Sequence, residues 1–227
     1  MSPVSQGGGL AMVIEGLPKA LVQAGIPVTI ITFLYKEAQG NKHKSAAEIL
    51  SQGIRINGET VFPEHVGEVV VPFGPIQDST TKGDLAPPRE VHADVYFANM
   101  AGVRVYFLGQ EEIAKKLYPV SADQSAIELI RQSILLSRGS LELIRKFGIQ
   151  PHTILANDWM AAPTFAYFRT HPKYKDDPRF QQTKLGMVIH NHAYQGRFMT
   201  NEQFVKDLFP MFSNPHLDLD AIFLQLL

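Results

Sequence analysis

Two apolar stretches that run straight into polar residues constrain this chain most. Thr153-Ile154-Leu155-Ala156 is followed at once by Asn157-Asp158, and residues 185–189 empty into His190-Asn191-His192. Short apolar runs of this kind suit strands buried on both faces, and such strands need helices packed over them. The segments around them carry helical spacing. Ile127, Ile130, Ile134, Leu141 and Ile144 mark one long helix, with Ser121 as its cap and Gly148 as its stop, and residues 161–168 mark a second. Near the start, Leu10, Val13, Ile14, Leu17, Leu21 and Ala24 recur at steps of three and four. Pro18 should kink that helix and Gly25 should end it. The β-branched run Val28-Thr29-Ile30-Ile31-Thr32 reads as the strand that follows.

Residues 94–98 and 103–108 flank Asn99-Met100-Ala101-Gly102, a hairpin pattern. Residues 36–90 are less regular and read as an insertion, with a helical piece near 45–50, a strand at 69–71 and a polar loop over 77–88. Apolar strands alternating with amphipathic helices predict an α/β fold with a mostly parallel sheet flanked by helices. Ligands of such sheets sit beyond the carboxyl ends of the strands, where Asp158 and His190 fall.

Composition removes several classes of function. Among 227 residues the 21 Lys and Arg are balanced by 22 Asp and Glu, for a formal net charge of −1. A protein held on nucleic acid by general phosphate attraction is usually basic, so neither nucleic acid nor a membrane surface is expected as a partner. With no cysteine, disulfides, thiol catalysis and Cys-ligated zinc are excluded. Residues 1–7 lack the charged and apolar regions of a secretory signal, and no run approaches the ~18 apolar residues of a spanning helix. An intracellular location is expected.

Three motifs carry candidate chemistry, each with two readings. Gly7-Gly8-Gly9 opens the first helix, where free amides favour an anion and glycine lets a ligand approach closely; it equally serves as a plain loop start. Met12 stands where a dinucleotide fingerprint needs Gly or Ala, and no Lys-Ser or Lys-Thr follows as in a P-loop. Asp158 can cap the next helix or accept sugar hydroxyls from a cleft. Trp159, the single tryptophan, suits a core or a cleft wall. His190 and His192 point the same way on extended chain, as a metal pair would, or bond locally. Metal chemistry needs three or four ligands, and no further histidine has matching spacing, so no metal is expected.

At this point the residues resemble a known family. Gly8-Gly9-Leu10-Ala11 with Gly16-Leu17-Pro18-Lys19-Ala20-Leu21, then Asn157-Asp158-Trp159, then His190-Asn191-His192-Ala193-Tyr194-Gln195-Gly196-Arg197-Phe198 resemble, in order, the corresponding segments of bacterial glycogen synthases and plant starch synthases. The resemblance implies a retaining glucosyltransferase of GT-B type, with two Rossmann-like halves facing a cleft. Residues 1–227 would be its N-terminal, acceptor-side half, cut at both ends and without the C-terminal nucleotide-binding half. The implied reaction moves glucose from ADP-glucose or UDP-glucose to the non-reducing end of an α-1,4-glucan. No cofactor is implied beyond the sugar-nucleotide donor, and the location would be the cytoplasm, or a plastid in a plant or alga. A non-catalytic α-glucan-binding module derived from that family is the alternative.

By the same resemblance Gly8 and Gly9 approach the phosphates, and Asp158 lines the sugar and acceptor site beside Trp159. His190 contacts the donor glucose and aligns its anomeric carbon, while Asn191, Tyr194 and Gln195 shape the acceptor side. Three positions depart from the family pattern. Gln6 replaces a lysine, and can donate a hydrogen bond without bringing charge to a diphosphate. Met12 replaces an aspartate, and Asn157 replaces the histidine of His-Asp-Trp.

Overall fold

A computed structural model of the chain describes residues 8–35, 46–56, 59–73, 89–114 and 122–190. Helix α1 (Gly8–Gln23) leads into β1 (Thr29–Phe33). A small unit follows: helix α2 (Ala46–Gln52), then β2 (Ile54–Ile56) paired with β3 (Glu59–Val61). The strands β4 (Glu64–Phe73), β5 (Arg89–Met100) and β6 (Val103–Gly109) form an antiparallel meander. The long helix α3 (Ala122–Lys146) precedes β7 (Thr153–Asn157). Helices α4 (Pro163–Thr170) and α5 (Pro172–Lys175) lie between β7 and β8 (Lys184–Val188).

The α/β class read from the sequence holds. One sheet has the order β1-β6-β5-β4, with β1 parallel to β6, and β7 pairs in parallel with β8. The parallel pairings are those made across helical crossovers or insertions. The meander adds antiparallel strands, because two residues suffice to join β5 to β6. There Met100 pairs with Val103, and Ala101 and Gly102 take φ of 52° and 84°, the twist that a two-residue hairpin requires. A side chain at Gly102 would also meet Val22 of α1 at 2.9 Å, so the hairpin tip is glycine for two reasons.

Both helix stops behave as predicted. The Gly25 and Ile26 amides bond to the Val22 and Leu21 carbonyls, and the Gly148 and Ile149 amides to those of Arg145 and Ile144, the paired bonds that close a helix on a left-handed glycine. The stripe on α1 is corrected. The helix runs unbroken through Pro18, which is buried, while Leu17 is 47% exposed. At 100° per residue Leu10, Val13, Ile14, Leu17 and Leu21 share one stripe about 100° wide, but the packed face lies beside that stripe. Pro18 and Val22 lie on the packed face instead.

Each face of the four-stranded sheet has its own core. On one side Phe33, Val69, Val71, Ala93, Val95 and Leu108 pack with Ile134, Leu135, Leu141 and Leu143 of α3. On the other Ala98, Val103, Val105 and Phe107 pack with Leu34 and Ile54. Ile134, Leu141 and Ile144 of the expected stripe are buried in that core, with Leu135 and Leu143 beside them. Buried polar residues, Arg138 and Glu142 among them, lie between these apolar positions, where α3 meets β4, α4 and α5.

There the Arg138 guanidinium donates to Tyr174 Oη at 3.3 Å and the Pro72 carbonyl at 3.0 Å, and stands 3.3 Å from His171 Nε2. The Tyr174 hydroxyl donates to Glu142 at 2.6 Å. Burial, with that carboxylate beside it, pushes the phenol far above its ordinary value. Glu142 also meets Lys173 at 2.7 Å, and Arg145 links it to Asp177. Among the described residues no helix is long and apolar enough to cross a membrane.

Hydrogen bonds from Arg179 and Arg145 hold the Asp177 carboxyl well below the usual carboxylate range. A depressed folded value means that this stabilisation is complete above the unfolded aspartate value and is lost as pH falls through the folded one. Unfolding free energy should therefore decline below about pH 4. Asp177→Asn should lower the plateau near neutral pH and flatten that acid decline. Denaturant titrations between pH 3 and 7 measure both, and equal acid slopes in the two proteins would exclude Asp177 as their source.

Candidate functional site

Because β7 and β8 are parallel, their carboxyl ends lie at one edge of the pair, and both polar tips fall there. The ladder continues one residue past the strand, where the Asp158 amide donates to the Val188 carbonyl at 2.8 Å. The chain then turns sharply. Asp158 takes φ 59° and ψ 175°, a region that is costly for any residue but glycine, by about 1–3 kcal/mol. Such strain persists only where surrounding contacts dictate it.

Those contacts are visible. Asp158 stands at the cap position of the 3-10 turn Trp159–Ala161, yet its side chain makes no capping bond. Instead its Oδ1 accepts the His190 backbone amide at 2.7 Å. The carboxylate thus pins the chain as it leaves β8, which sets aside the reading of Asp158 as a simple cap. Oδ2 has no hydrogen-bond partner among the described residues. The His190 ring lies beside Asn157, with Nε2 3.0 Å from Asn157 Oδ1. Asn157 Nδ2 in turn donates to the Leu155 carbonyl at 3.2 Å. Ser133 of α3 donates to the Met160 carbonyl at 2.7 Å and so anchors the turn that starts at Trp159, itself partly buried.

The structure therefore brings together Asn157, Asp158 and His190, two strand tips separated by about thirty residues of chain. Gly8 and Gly9 form the first turn of α1 itself rather than a loop before it, and α1 packs against β6 of the other sheet. No hydrogen bond among the described residues joins them to Asp158 or His190. Gln6, Gly7, Ser121, Asn191, His192, Tyr194 and Gln195 lie outside the described residues. Among those described, no group of three or more His, Asp or Glu is placed to hold a metal ion.

The resulting cluster has one carboxylate, one imidazole and one amide, held by strand ends. Such a set exchanges hydrogen bonds with a polyhydroxylated ligand. Residues 1–219 match the family described as the starch synthase catalytic domain. The chain belongs to that family. A starch synthase-type domain was legible from the three motifs, and the matched stretch spans all three, Asn191, Tyr194 and Gln195 included.

Members of known name are similar at a distance. The glycogen synthase of Thermotoga petrophila is 27% identical over 202 residues, and that of Thermotoga maritima 28% over 200. In each case the match covers 86% of this chain and 34% of the relative, so the chain spans about a third of their length. Among solved structures, the catalytic domain of starch synthase IV from Arabidopsis thaliana, bound to ADP and acarbose, aligns with a TM-score of 0.58 at 23% identity. That alignment covers 86% of this chain and 33% of the neighbour, and shows a shared fold.

Sequence reasoning missed two features of this starch synthase-type domain. It took Asn157 only as a replacement for a histidine, when its amide is the partner of the His190 ring. It also missed the polar network under α4 and α5. Arg138, Glu142 and Arg145, spaced four and three apart, look from sequence like a solvated helix face. The aromatic residues Tyr167 and Tyr174 nearby were the signal that something covers that face.

Proposed function

We propose that this chain is the acceptor-side half of a retaining glucosyltransferase. It would carry glucose from ADP-glucose or UDP-glucose to the 4-hydroxyl at the non-reducing end of an α-1,4-glucan. The observation that carries the reading is the convergence of Asp158 and His190 at the carboxyl ends of two parallel strands, inside a starch synthase family match over residues 1–219.

In this reading His190 bonds a hydroxyl of the donor glucose and aligns its anomeric carbon. Asp158, through the oxygen not committed to His190, accepts a sugar hydroxyl, with Trp159 against the sugar. Asn191, Tyr194 and Gln195 border the acceptor. Gly8 and Gly9 present the amides of α1 to the departing diphosphate, and Gln6 adds a neutral donor. The contribution of these residues is positioning, with charge stabilisation from the helix end. No cofactor beyond the donor itself takes part. The nucleotide would be held by a second half that this chain does not contain, so the 227 residues alone should bind glucan without turnover.

The test pairs two assays. A longer protein that includes this chain should extend a glucan primer with one of the two donors. The chain alone should change its Trp159 fluorescence saturably with maltooligosaccharide. Failure of both would overturn the reading. Gln6 and Met12, standing where the family pattern carries charge, favour a second reading as an α-glucan-binding module. Glucan binding without transfer by the longer protein would establish that instead.

A further inference from the structure

Asn157, the last residue of β7, bridges two groups of unequal character. Its Nδ2 donates to the Leu155 carbonyl at 3.2 Å, and its Oδ1 lies 3.0 Å from His190 Nε2. A backbone carbonyl only accepts. With the amide turned over, its oxygen would face the Leu155 oxygen, two acceptors with no proton between them. The Leu155 carbonyl therefore decides which end of the amide faces the imidazole, and that end is the oxygen. An amide oxygen also only accepts, so Nε2 must carry the proton. In the neutral ring this leaves Nδ1 bare.

We propose that Asn157 is a positioning residue that sets His190 as the Nε2–H tautomer, so that Nδ1 stands ready to accept a hydrogen bond from a ligand hydroxyl. No partner for Nδ1 is found among the described residues. The main chain that carries the ring is fixed independently, since the His190 backbone amide is held by Asp158 Oδ1 at 2.7 Å. The identity of the hydroxyl, one belonging to the donor glucose, rests on the proposed function. The chemistry follows from the bare nitrogen: it accepts from an alcohol and offers nothing to a phosphate oxygen. His190 thereby distinguishes the sugar end of a sugar nucleotide from its diphosphate.

The experiment reads the ring directly in the 227-residue chain labelled with nitrogen-15, by two-bond proton–nitrogen correlation at a pH where His190 is neutral. The expected spectrum has Nε2 at a protonated, pyrrole-type shift and Nδ1 at a pyridine-type shift. Asn157→Asp keeps an acceptor in place, so it should retain that tautomer and raise the His190 titration midpoint by about one pH unit. Asn157→Leu removes the acceptor, and both ring nitrogens should move toward averaged shifts. A proton on Nδ1 in the starting protein overturns the proposal, as does a His190 ring indistinguishable between the starting protein and a folded Asn157→Leu variant. Should the leucine variant not fold, the aspartate variant decides: an unmoved midpoint overturns the proposal. No ligand enters this measurement, so an inactive longer protein would count against the proposed function while the spectrum judges the ring.

Discussion

Replacing His190 with alanine in a longer, active protein that carries this chain is expected to lower kcat by well over tenfold and leave the fold intact. The fold should survive because the bond that fastens this segment uses the His190 backbone amide, which alanine retains. What alanine removes is the ring and its bond to Asn157. In the proposed function this ring aligns the anomeric carbon, a contact made at the transition state, so its loss falls on kcat rather than on ground-state binding alone. Each factor of ten corresponds to about 1.4 kcal/mol of barrier. Steady-state kinetics with ADP-glucose and a glucan primer measure the effect, alongside circular dichroism for the fold. An unchanged kcat would remove His190 from the mechanism.

The second large effect concerns stability. Arg138→Met keeps an apolar stem of similar length and deletes the guanidinium of a residue only 3% exposed. Deletion strands the Pro72 carbonyl and weakens the hold on Tyr174 and His171. It also removes a cation 5.5 Å from the centre of the Tyr167 ring. Breaking a buried charged network by removing one member costs about 3–5 kcal/mol. For a chain of this size that is on the order of a 10 °C fall in Tm. Arg138→Lys should recover only part of it, because one ammonium on a flexible stem cannot reproduce a planar fork that reaches three partners. Thermal unfolding of the three proteins checks both statements. A loss below about 1 kcal/mol for the methionine variant would mean that other groups satisfy what arginine leaves behind.

Local chemistry explains what could be read from the sequence. Gly25, Gly148 and Gly102 were legible because each answers a backbone need that few other residues meet. The strands ending at Asn157 and before His190 were legible because an apolar run and a polar tip are both short-range signals. The packed side of α1 was not legible, since Pro18 and Val22 lie beside the apolar stripe rather than on it, and only the contact with β6 and its hairpin selects that side. At the site, the residue types were readable but their bonds were not. The pairing of Asp158 with the His190 amide joins residues 32 apart, and nothing in either motif alone announces it. The buried side of α3 was hidden for the same reason: polarity predicts water, and only tertiary packing reveals that α4 and α5 replace it.

The buried polar contacts of α3 have a consequence for the azimuth at which it sits. A turn of one residue, about 100°, would carry the Arg138 guanidinium off its hydrogen-bonding partners, the Pro72 carbonyl of β4 among them, with nothing to offset its lost hydration. An all-apolar helix would tolerate such slippage far better. The same helix grips the Met160 carbonyl through Ser133, one turn above Ser137, so its rotational setting is transmitted to the bend that begins at Asp158. Charges well away from Asp158 and His190 thus act as an index pin for the strand tips on which those two residues stand.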